Sequence, residues 1–312
     1  MVRWSTMACV FILALTVASC ATSAPATPQA SIQSIFPLTV TDDVQRTVTI
    51  EAEPKRIVSL SPSNTELVYA LGLQDKLVGV DDYSDYPPEA KQKEKVGGFS
   101  KPNIEKVVGL TPDLVLATNI HVKTVVPELE KQGLRVLVIQ PPTLANVPGN
   151  LELLGKIANQ PQAGDRLAAQ LRSRIEAVAS KTRGVSARPR VFFEIGPDLT
   201  TMGPDTFLDD MVTKAGGQNI ARDAQGAWPK ISSEAVVLKD PEIIILADHG
   251  SSRGGVTAEI VRARPGWAVI SAVESGRIVL LPDQDVTNRP GPRAVDGLEF
   301  IASTLHPELF PR

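Results

Sequence analysis

Two stretches of the chain repeat one pattern, and this repeat constrains the fold more than any other feature of the sequence. Residues 103–116 (NIEKVVGLTPDLVL) and 232–245 (SSEAVVLKDPEIII) each contain a glutamate, two consecutive valines and a proline seven residues after the glutamate. Glu105 corresponds to Glu234, and the distance in sequence between these two residues is called the repeat offset below. The copies share four identities and four conservative pairs in twelve positions. Because proline ends a helix and an aliphatic run is typical of a buried strand, each stretch predicts a helix–strand unit.

Short β-branched runs bounded by turn residues recur through both halves of the chain. They lie at 39–41, 47–50, 56–60, 77–80, 113–117 and 135–139, and again at 190–194, 242–246 and 277–281. The segments between most of them have helical character, an alternation that is typical of βαβ units with a mainly parallel sheet. We therefore predict an α/β fold with two similar Rossmann-like lobes; a chance likeness of two generic helix–strand units is the alternative to a duplication.

A long helical segment separates the two halves. Leu167, Leu171, Ile175 and Val178 recur at helical spacing within 162–181. A helix of about 20 residues spans about 30 Å, so we predict a rigid strut between the lobes; a surface helix of one lobe is the alternative. The predicted domains are an N-terminal lobe (37–160), a connecting helix (161–184) and a C-terminal lobe (185–312).

The N-terminus is predicted to be separate from the fold. Residues 1–19 have a basic residue followed by an apolar run, which is typical of a secretory signal peptide. The run ends at Val-Ala-Ser-Cys, so we predict a lipoprotein signal that leaves a lipid-anchored Cys20 at the head of a flexible, proline-rich linker (20–36). An ordinary signal peptide with an accidental cysteine is the alternative.

The composition favours some classes of function over others. The net charge is −3 and the chain is 43% hydrophobic, which indicates a folded core and argues against nucleic acid as the main partner. The sequence contains no nucleophile elbow, phosphate-binding loop or HExxH motif, so we expect no enzyme. We expect a monomer.

The glutamate of each repeat has two explanations. A carboxylate in the first turn of a helix is favoured by the helix dipole, by about 0.3–1 kcal/mol. The dipole does not explain why Glu105 and Glu234 occupy the same position in both lobes. Two separated acids on one common surface suit docking to basic residues of a partner.

Several longer segments resemble the iron–siderophore/cobalamin class of ABC-transporter substrate-binding proteins, which includes vitamin B12-binding members. They are RIVSLSPSNTELVYALG (56–72), DDYSDYPPEAK (81–91), GGFSKPNIEKVVGLTPDLVLA (97–117) and WPKISSEAVVLKDPEIIIL (228–246), supported by AGGQNIA (215–221) and RPGPR (289–293). The resemblance covers roughly residues 38–312. It implies a class III substrate-binding protein, in which one long backbone helix joins two α/β lobes and the ligand binds in the cleft between them.

The resemblance also implies partners. In this family one glutamate per lobe forms a salt bridge with arginines of the membrane permease, and the matching residues here are Glu105 and Glu234. The expected partners are therefore the permease and ATPase subunits of an ABC importer, with no cofactor and no catalysis. The expected ligand is a corrinoid such as cobalamin or a ferric siderophore. A non-transport surface adhesin is the alternative, although an adhesin has no reason to carry the two glutamates in register.

Ligands of α/β sheets bind beyond the carboxyl ends of strands, which makes candidates of the loops 59–64, 82–86, 97–100, 117–121 and 247–250. The resemblance adds specific contacts: Tyr83, Phe99 and Trp228 as aromatic faces, and Asp285 and Arg289 as polar groups. Arg293 either joins this loop of the cleft or holds the turn that contains it.

Two departures from the cobalamin-binding pattern leave the ligand open. Phe99 and Thr118 stand where the vitamin B12-binding members have tryptophans, and aromatic residues make up only 4% of the chain. Ferric siderophore, haem or another corrinoid therefore remain alternatives to cobalamin.

Two histidines form a weak candidate metal site. His121 and His249 follow corresponding strands, and cleft histidines bind Zn²⁺ or Mn²⁺ in a related branch of the superfamily or ligate haem. Solvent-exposed loop histidines are the simpler interpretation.

Overall fold

The computed structural model describes residues 1, 35–247 and 255–311. The predicted signal peptide, Cys20 and nearly all of the linker lie outside the described residues, as does His249. In the ranges that are described, no helix is both long enough and apolar enough to cross a membrane.

The N-terminal half builds a four-stranded parallel sheet in the order β4-β3-β7-β8. All residues of β3, β7 and β8 are buried, as expected for parallel strands covered on both faces. The strands are β1 (Leu38–Thr41), β2 (Thr47–Ile50), β3 (Ile57–Ser59), β4 (Leu77–Val80), β5 (Gly97–Gly98), β6 (Lys101–Pro102), β7 (Leu114–Ala117) and β8 (Val136–Val138). The helices are α1 (Pro62–Ala70), α2 (Ile104–Gly109), α3 (Val125–Lys131) and α4 (Val147–Ile157).

The C-terminal half builds a second four-stranded parallel sheet in the order β10-β9-β11-β12. Its strands are β9 (Arg190–Glu194), β10 (Gln218–Asn219), β11 (Ile243–Leu246) and β12 (Ile278–Leu280). Its helices are α6 (Phe207–Lys214), α7 (Ser233–Lys239), α8 (Ala258–Arg262), α9 (Ser271–Glu274), α10 (Asp285–Asn288) and α11 (Ala294–Leu305). Each strand predicted from the sequence is confirmed, with ends that differ by at most one residue.

The predicted long helix is confirmed as α5 (Pro161–Thr182), with 22 residues. It packs on α4 of the N-terminal half and on α6 and α11 of the C-terminal half, so the interpretation as a surface helix of one lobe is wrong. Its approach to α4 is close because Gly155 and Gly164 face each other: a Cβ at Gly164 would lie 2.6 Å from the Leu151 carbonyl oxygen. At the other end, Arg174 donates to both carboxylate oxygens of Glu299 at 2.9 and 2.6 Å.

The hydrophobic core runs through both halves. One cluster includes Leu116 and Leu151 of the N-terminal half, Ile175 of α5, and Phe193 and Leu298 of the C-terminal half. Two smaller clusters cover the outer faces of the two sheets. The lobes are therefore joined by shared apolar packing along α5 as well as by the chain itself, which disfavours a large hinge motion.

Candidate functional site

A cavity of about 550 Å³ opens between the two lobes at the carboxyl ends of the N-terminal strands. Loops that follow β3, β4 and β7 supply one wall, together with the β5–β6 hairpin, and α10 with the residues after it supplies the other. Four of the five loops named from the sequence therefore contribute to the cavity. The fifth, 247–250, lies almost wholly outside the described residues.

Most of the predicted ligand contacts meet in this cavity. Tyr83, Phe99, Asp285 and Arg289 all line it. Trp228, with 54% of its surface exposed, is not among the lining residues. Sequence reasoning missed Lys101 and Gln140, which line the cavity beside the predicted contacts.

Trp228 belongs to a short antiparallel ladder beyond the carboxyl end of β9. The backbone N–H groups of Thr201 and Gly203 donate to the carbonyls of Pro229 and Ala227, at 3.0 and 2.8 Å. The strands approach so closely that a Cβ at Gly203 would overlap the Gly226 carbonyl oxygen, so that position requires glycine. The ladder therefore holds Trp228 as an exposed residue beyond the carboxyl end of β9.

A buried polar network holds the loop that presents Tyr83. Asp81 accepts hydrogen bonds from the Ser84 hydroxyl and from the backbone N–H of Tyr83, the latter at 3.1 Å. Ser84 in turn lies 2.7 Å from the Thr65 hydroxyl of α1. Burial raises the pKa of Asp81, and the Ser84 hydrogen bond opposes that shift. The exposed phenol of Tyr83 is thus carried by a fixed backbone.

His121 is buried, which contradicts the expectation of a solvent-exposed loop histidine. Its Nδ1 accepts from the Thr118 backbone N–H at 3.0 Å, so Nε2 carries the proton and donates to the Phe99 carbonyl at 2.6 Å. The ring also makes an edge contact with the Phe99 ring, with centroids 5.7 Å apart. Burial lowers the pKa of His121. Nε2 holds the Phe99 loop and Nδ1 holds the histidine's own turn at Thr118, so neither ring nitrogen is free to bind a metal.

No group of three or more histidine, cysteine, aspartate or glutamate side chains suited to a metal occurs in the described part of the chain. The repeat also places the two histidines out of register, since the residue one repeat offset after His121 is Gly250.

A cluster of charged residues, two of which line the cavity, joins the lobes. Glu66 of α1, only 3% exposed, accepts from Arg293 at 2.7 and 3.0 Å and lies 3.5 Å from Arg289. Arg289 also bonds Asp85 of the N-terminal lobe and Asp285 of α10, both at 2.8 Å. Burial raises the pKa of Glu66 and of Asp285, and the arginines oppose both shifts.

Arg293 therefore links the lobes, whereas the sequence left open whether it joins the cleft loop or holds its own turn. Its guanidinium lies 3.7 Å from the centre of the Tyr86 ring and bonds Asp283 at 2.6 Å. Burial alone lowers its pKa, but the bonds to Glu66 and Asp283 raise that pKa above its usual range overall.

The two repeat units have the same local structure. Asn103 caps α2 by accepting from the Lys106 N–H at 3.0 Å, and Ser232 caps α7 by accepting from the Ala235 N–H at 3.1 Å. Glu105 and Glu234 follow in the first turns, both exposed. Neither carboxylate forms an ion pair with any described residue; Glu234 bonds its own backbone N–H and the Ser232 hydroxyl, which lowers its pKa.

The C-terminal ends of these helices are also built alike. Thr111 and Asp240, which correspond at the repeat offset, both adopt a positive φ, at 45° and 42°. An arginine at the start of each central strand binds the end of the helix: Arg56 donates to the Leu110 carbonyl and Arg190 to the Asp240 carbonyl, each at 2.7 Å. The chance likeness of two generic units does not explain such agreement, which favours a duplication.

The duplication extends further upstream than sequence reasoning recognised. At the same repeat offset, Gly97-Gly-Phe-Ser-Lys-Pro-Asn103 matches Gly226-Ala-Trp-Pro-Lys-Ile-Ser232. Gly97 and Gly226 both have positive φ, at 102° and 84°. An aromatic residue and a lysine two positions later therefore recur in both lobes, upstream of the glutamate by the same spacing. Extending the comparison by one turn upstream would have revealed this signal.

Comparisons with known proteins agree with this architecture. Residues 57–285 match the family model described as periplasmic binding protein. The uncharacterized ABC transporter substrate-binding lipoprotein YvrC of Bacillus subtilis is 37% identical over 284 residues, 88% of each chain.

Solved structures give the same result. The periplasmic vitamin B12 binding protein BtuF of Vibrio cholerae superposes with a TM-score of 0.72 at 30% identity, covering 83% of this chain and 99% of BtuF. The periplasmic heme-binding protein RhuT of Roseiflexus sp. RS-1 gives a TM-score of 0.72 at 28% identity, covering 82% and 99%. With two lobes on one long helix, a cleft between them and these relatives, the chain belongs to the periplasmic binding protein family.

Proposed function

We propose that this protein is an extracytoplasmic lipoprotein that captures a corrinoid or a ferric-siderophore-type chelate and delivers it, chemically unchanged, to the permease of an ABC importer. The observation that carries the proposal is the cavity between the lobes, where aromatic and polar side chains converge in a chain of this family. The relatives that bind cobalamin and haem support a large chelate as the ligand class.

The cavity suits such a ligand physically. Its volume of about 550 Å³ lies in the usual range for small-molecule sites. Tyr83, 62% exposed, and the half-buried Phe99 offer apolar faces for a flat ring system. Asp285 and Arg289 on the opposite wall offer hydrogen-bonding groups for its polar periphery. Trp228, exposed beyond the carboxyl end of β9, is proposed to contact the ligand when the ligand bridges the two lobes.

The two exposed glutamates support docking to a permease. A carboxylate without an internal cation partner keeps its hydration until a partner supplies an arginine or lysine. Glu105 and Glu234 meet that condition, and each stands on a helix fixed at both ends. Lipidation of Cys20, tested by mass spectrometry of the N-terminal peptide, would hold the receptor at the membrane outer face.

A ligand screen tests the capture step. The full-length protein in detergent is titrated with cyanocobalamin, haemin, ferric siderophores, Zn²⁺ and Mn²⁺ while tryptophan fluorescence is followed. We expect saturable binding of at least one chelate. Binding of Zn²⁺ or Mn²⁺ alone would contradict the proposal and favour the metal-binding branch of the superfamily.

A transport assay tests the delivery step. The double variant Glu105→Arg/Glu234→Arg should abolish uptake while ligand affinity stays unchanged, because the substitutions lie outside the cavity. The matched control is Glu128→Arg/Glu274→Arg, which reverses two exposed glutamates, one on α3 and one on α9. If the Glu105→Arg/Glu234→Arg variant transported the ligand as well as the control variant does, the docking role would be refuted.

Haem is the second candidate ligand, and Tyr83 favours it. A tyrosine oxygen is an accepted axial ligand of haem iron, and this phenol is exposed at the cavity. If haem is the ligand, haemin should bind with a shifted Soret band that Tyr83→Phe abolishes. An unchanged spectrum in Tyr83→Phe would exclude ligation by this residue.

A further inference from the structure

The cavity contains a cation that the sequence-based contacts leave out. Lys101 lines the cavity directly after the Phe99-Ser100 turn, and its side chain is exposed. Among the residues that the structure describes, none pairs with its ammonium group. The other charged lining residues, Arg289 and Asp285, are joined to each other at 2.8 Å. Lys101 therefore remains available to pair with an acidic group of a ligand.

The duplication gives the C-terminal lobe a matching cation. Lys230 corresponds to Lys101 at the repeat offset and stands two residues after Trp228, as Lys101 follows Phe99. Trp228 is 54% exposed and lies two residues before Lys230, which an isolated antiparallel bridge pairs with Thr200. Lys230 is 68% exposed and forms an ion pair with Asp198, itself 47% exposed. Exposed pairs of this kind contribute little free energy and exchange partners easily.

We propose that Lys101 and Lys230 are ligand-binding residues that hold acidic groups of the ligand from the two lobes, so that the ligand is a chelate bearing ionised carboxylates. The inference rests on the proposed function and specifies its substrate class. In each lobe the aromatic residue would contact the ring of the ligand. The lysine two residues later in the sequence would bind the acidic groups at the edge of that ring. A charge-assisted bond between ammonium and carboxylate is stronger than a bond to a neutral amide in the same place.

Pairs of probes with the same ring and different charge test the proposal. One pair is dicyanocobinamide, whose ring side chains are amides, and dicyanocobyrinic acid, the same ring with carboxylates. The other pair is haemin, with two propionates, and its dimethyl ester. In at least one pair the full-length protein should bind the carboxylate form about tenfold more tightly, and about 0.5 M salt should reduce that preference.

Lysine variants assign the effect to residues. Lys101→Gln should weaken binding of the carboxylate probe about tenfold, whereas Lys230→Gln should weaken it about threefold because Asp198 competes for that lysine. Both variants should weaken binding of the uncharged probe less than binding of the carboxylate probe, because the uncharged probe lacks the acidic groups that the lysines bind. Lys131→Gln, which removes an exposed lysine on α3 outside the cavity, is the matched control.

The outcomes separate this inference from the proposed function. Tight binding of the uncharged probe, with no preference for carboxylates and no effect of Lys101→Gln, would overturn the role of the lysines and leave the receptor function intact. Failure of every probe in the two pairs, together with every ligand of the screen above, would overturn both.

Discussion

The two copies of the duplicated unit, residues 97–117 and 226–246, differ at one end and agree at the other. The helix caps, the exposed glutamates, the positive-φ residues and the arginines at the start of the central strands are alike in both copies. The ends near the cleft are held differently. A buried histidine bonds the Phe99 carbonyl in the N-terminal lobe, whereas a β-ladder supports Trp228 in the C-terminal lobe.

The comparison indicates that the end with the glutamates and the end near the cleft are constrained by different interactions. A surface that meets a partner with two related halves needs the same carboxylate geometry twice. A ligand without that symmetry needs different contacts from each lobe. Accordingly, Phe99 and Lys101 line the cavity, whereas Trp228 is not among its lining residues and Lys230 pairs with Asp198.

The largest expected effect tests whether both copies dock. If they do, Glu105→Arg and Glu234→Arg, each alone, should lower uptake at least about tenfold, since each places a like charge against a permease cation. Uptake assays in cells that express the cognate importer measure this. A loss confined to one variant would show that the two copies are not equivalent.

The next effect concerns the charged cluster that joins the lobes. Glu66→Ala should lower the free energy of unfolding by about 3–5 kcal/mol, because it leaves Arg293 and Arg289 without their buried partner. Urea denaturation measures the change. Glu152→Ala, which breaks an exposed pair with Arg172, should cost at most about 1 kcal/mol. Equal costs would contradict a special role for the cluster.

The next prediction concerns His121, which supports the end near the cleft in the N-terminal copy only. His121→Gln should cost about 1–3 kcal/mol, because it removes the bond that satisfies the Phe99 carbonyl. Burial lowers the pKa of His121 below its ordinary value of 6.5, so the unfolded chain takes up the proton first as pH falls. Its contribution to stability is therefore full above about pH 6.5 and declines below it.

Urea denaturation between pH 8 and pH 5 measures this dependence. The difference in unfolding free energy between the wild-type protein and His121→Gln should shrink as the pH falls. A constant difference would mean that His121 does not titrate differently in the folded and unfolded chains.

The smallest expected effect concerns the arginines that bind the C-terminal end of the helix in each copy. Arg56→Ala and Arg190→Ala should each cost about 1 kcal/mol, because each removes a hydrogen bond to the last carbonyls of its helix. The additional ion pairs of Arg190 with Asp240 and Glu242 are partly exposed and should add little. If the two substitutions lowered the free energy of unfolding by amounts that differ by more than about 2 kcal/mol, the two arginines would not have equivalent roles in the two lobes.

Sequence reasoning reached the fold because local signals agreed with it. Proline, capping residues and β-branched runs determined the ends of helices and strands to within one or two residues, and the periodicity at 162–181 predicted α5. The strand-end rule named four loops that line the cavity, because the carboxyl ends of parallel strands meet at one edge. Four of the five side chains that the resemblance assigned to the ligand also line it, and their contact with a ligand stays a prediction. The lysines were missed because the repeat was compared only from its helix cap onwards.

What the sequence alone determined is the duplicated α/β plan, since periodicity, caps and breakers act between neighbours in the chain. Only the tertiary structure decided that His121 is a buried support of Phe99 and that Glu66 pairs with Arg293, which is distant in the sequence. Such pairings depend on which surfaces the packed lobes bring within hydrogen-bonding distance and on the desolvation that accompanies packing. No local pattern encodes either quantity.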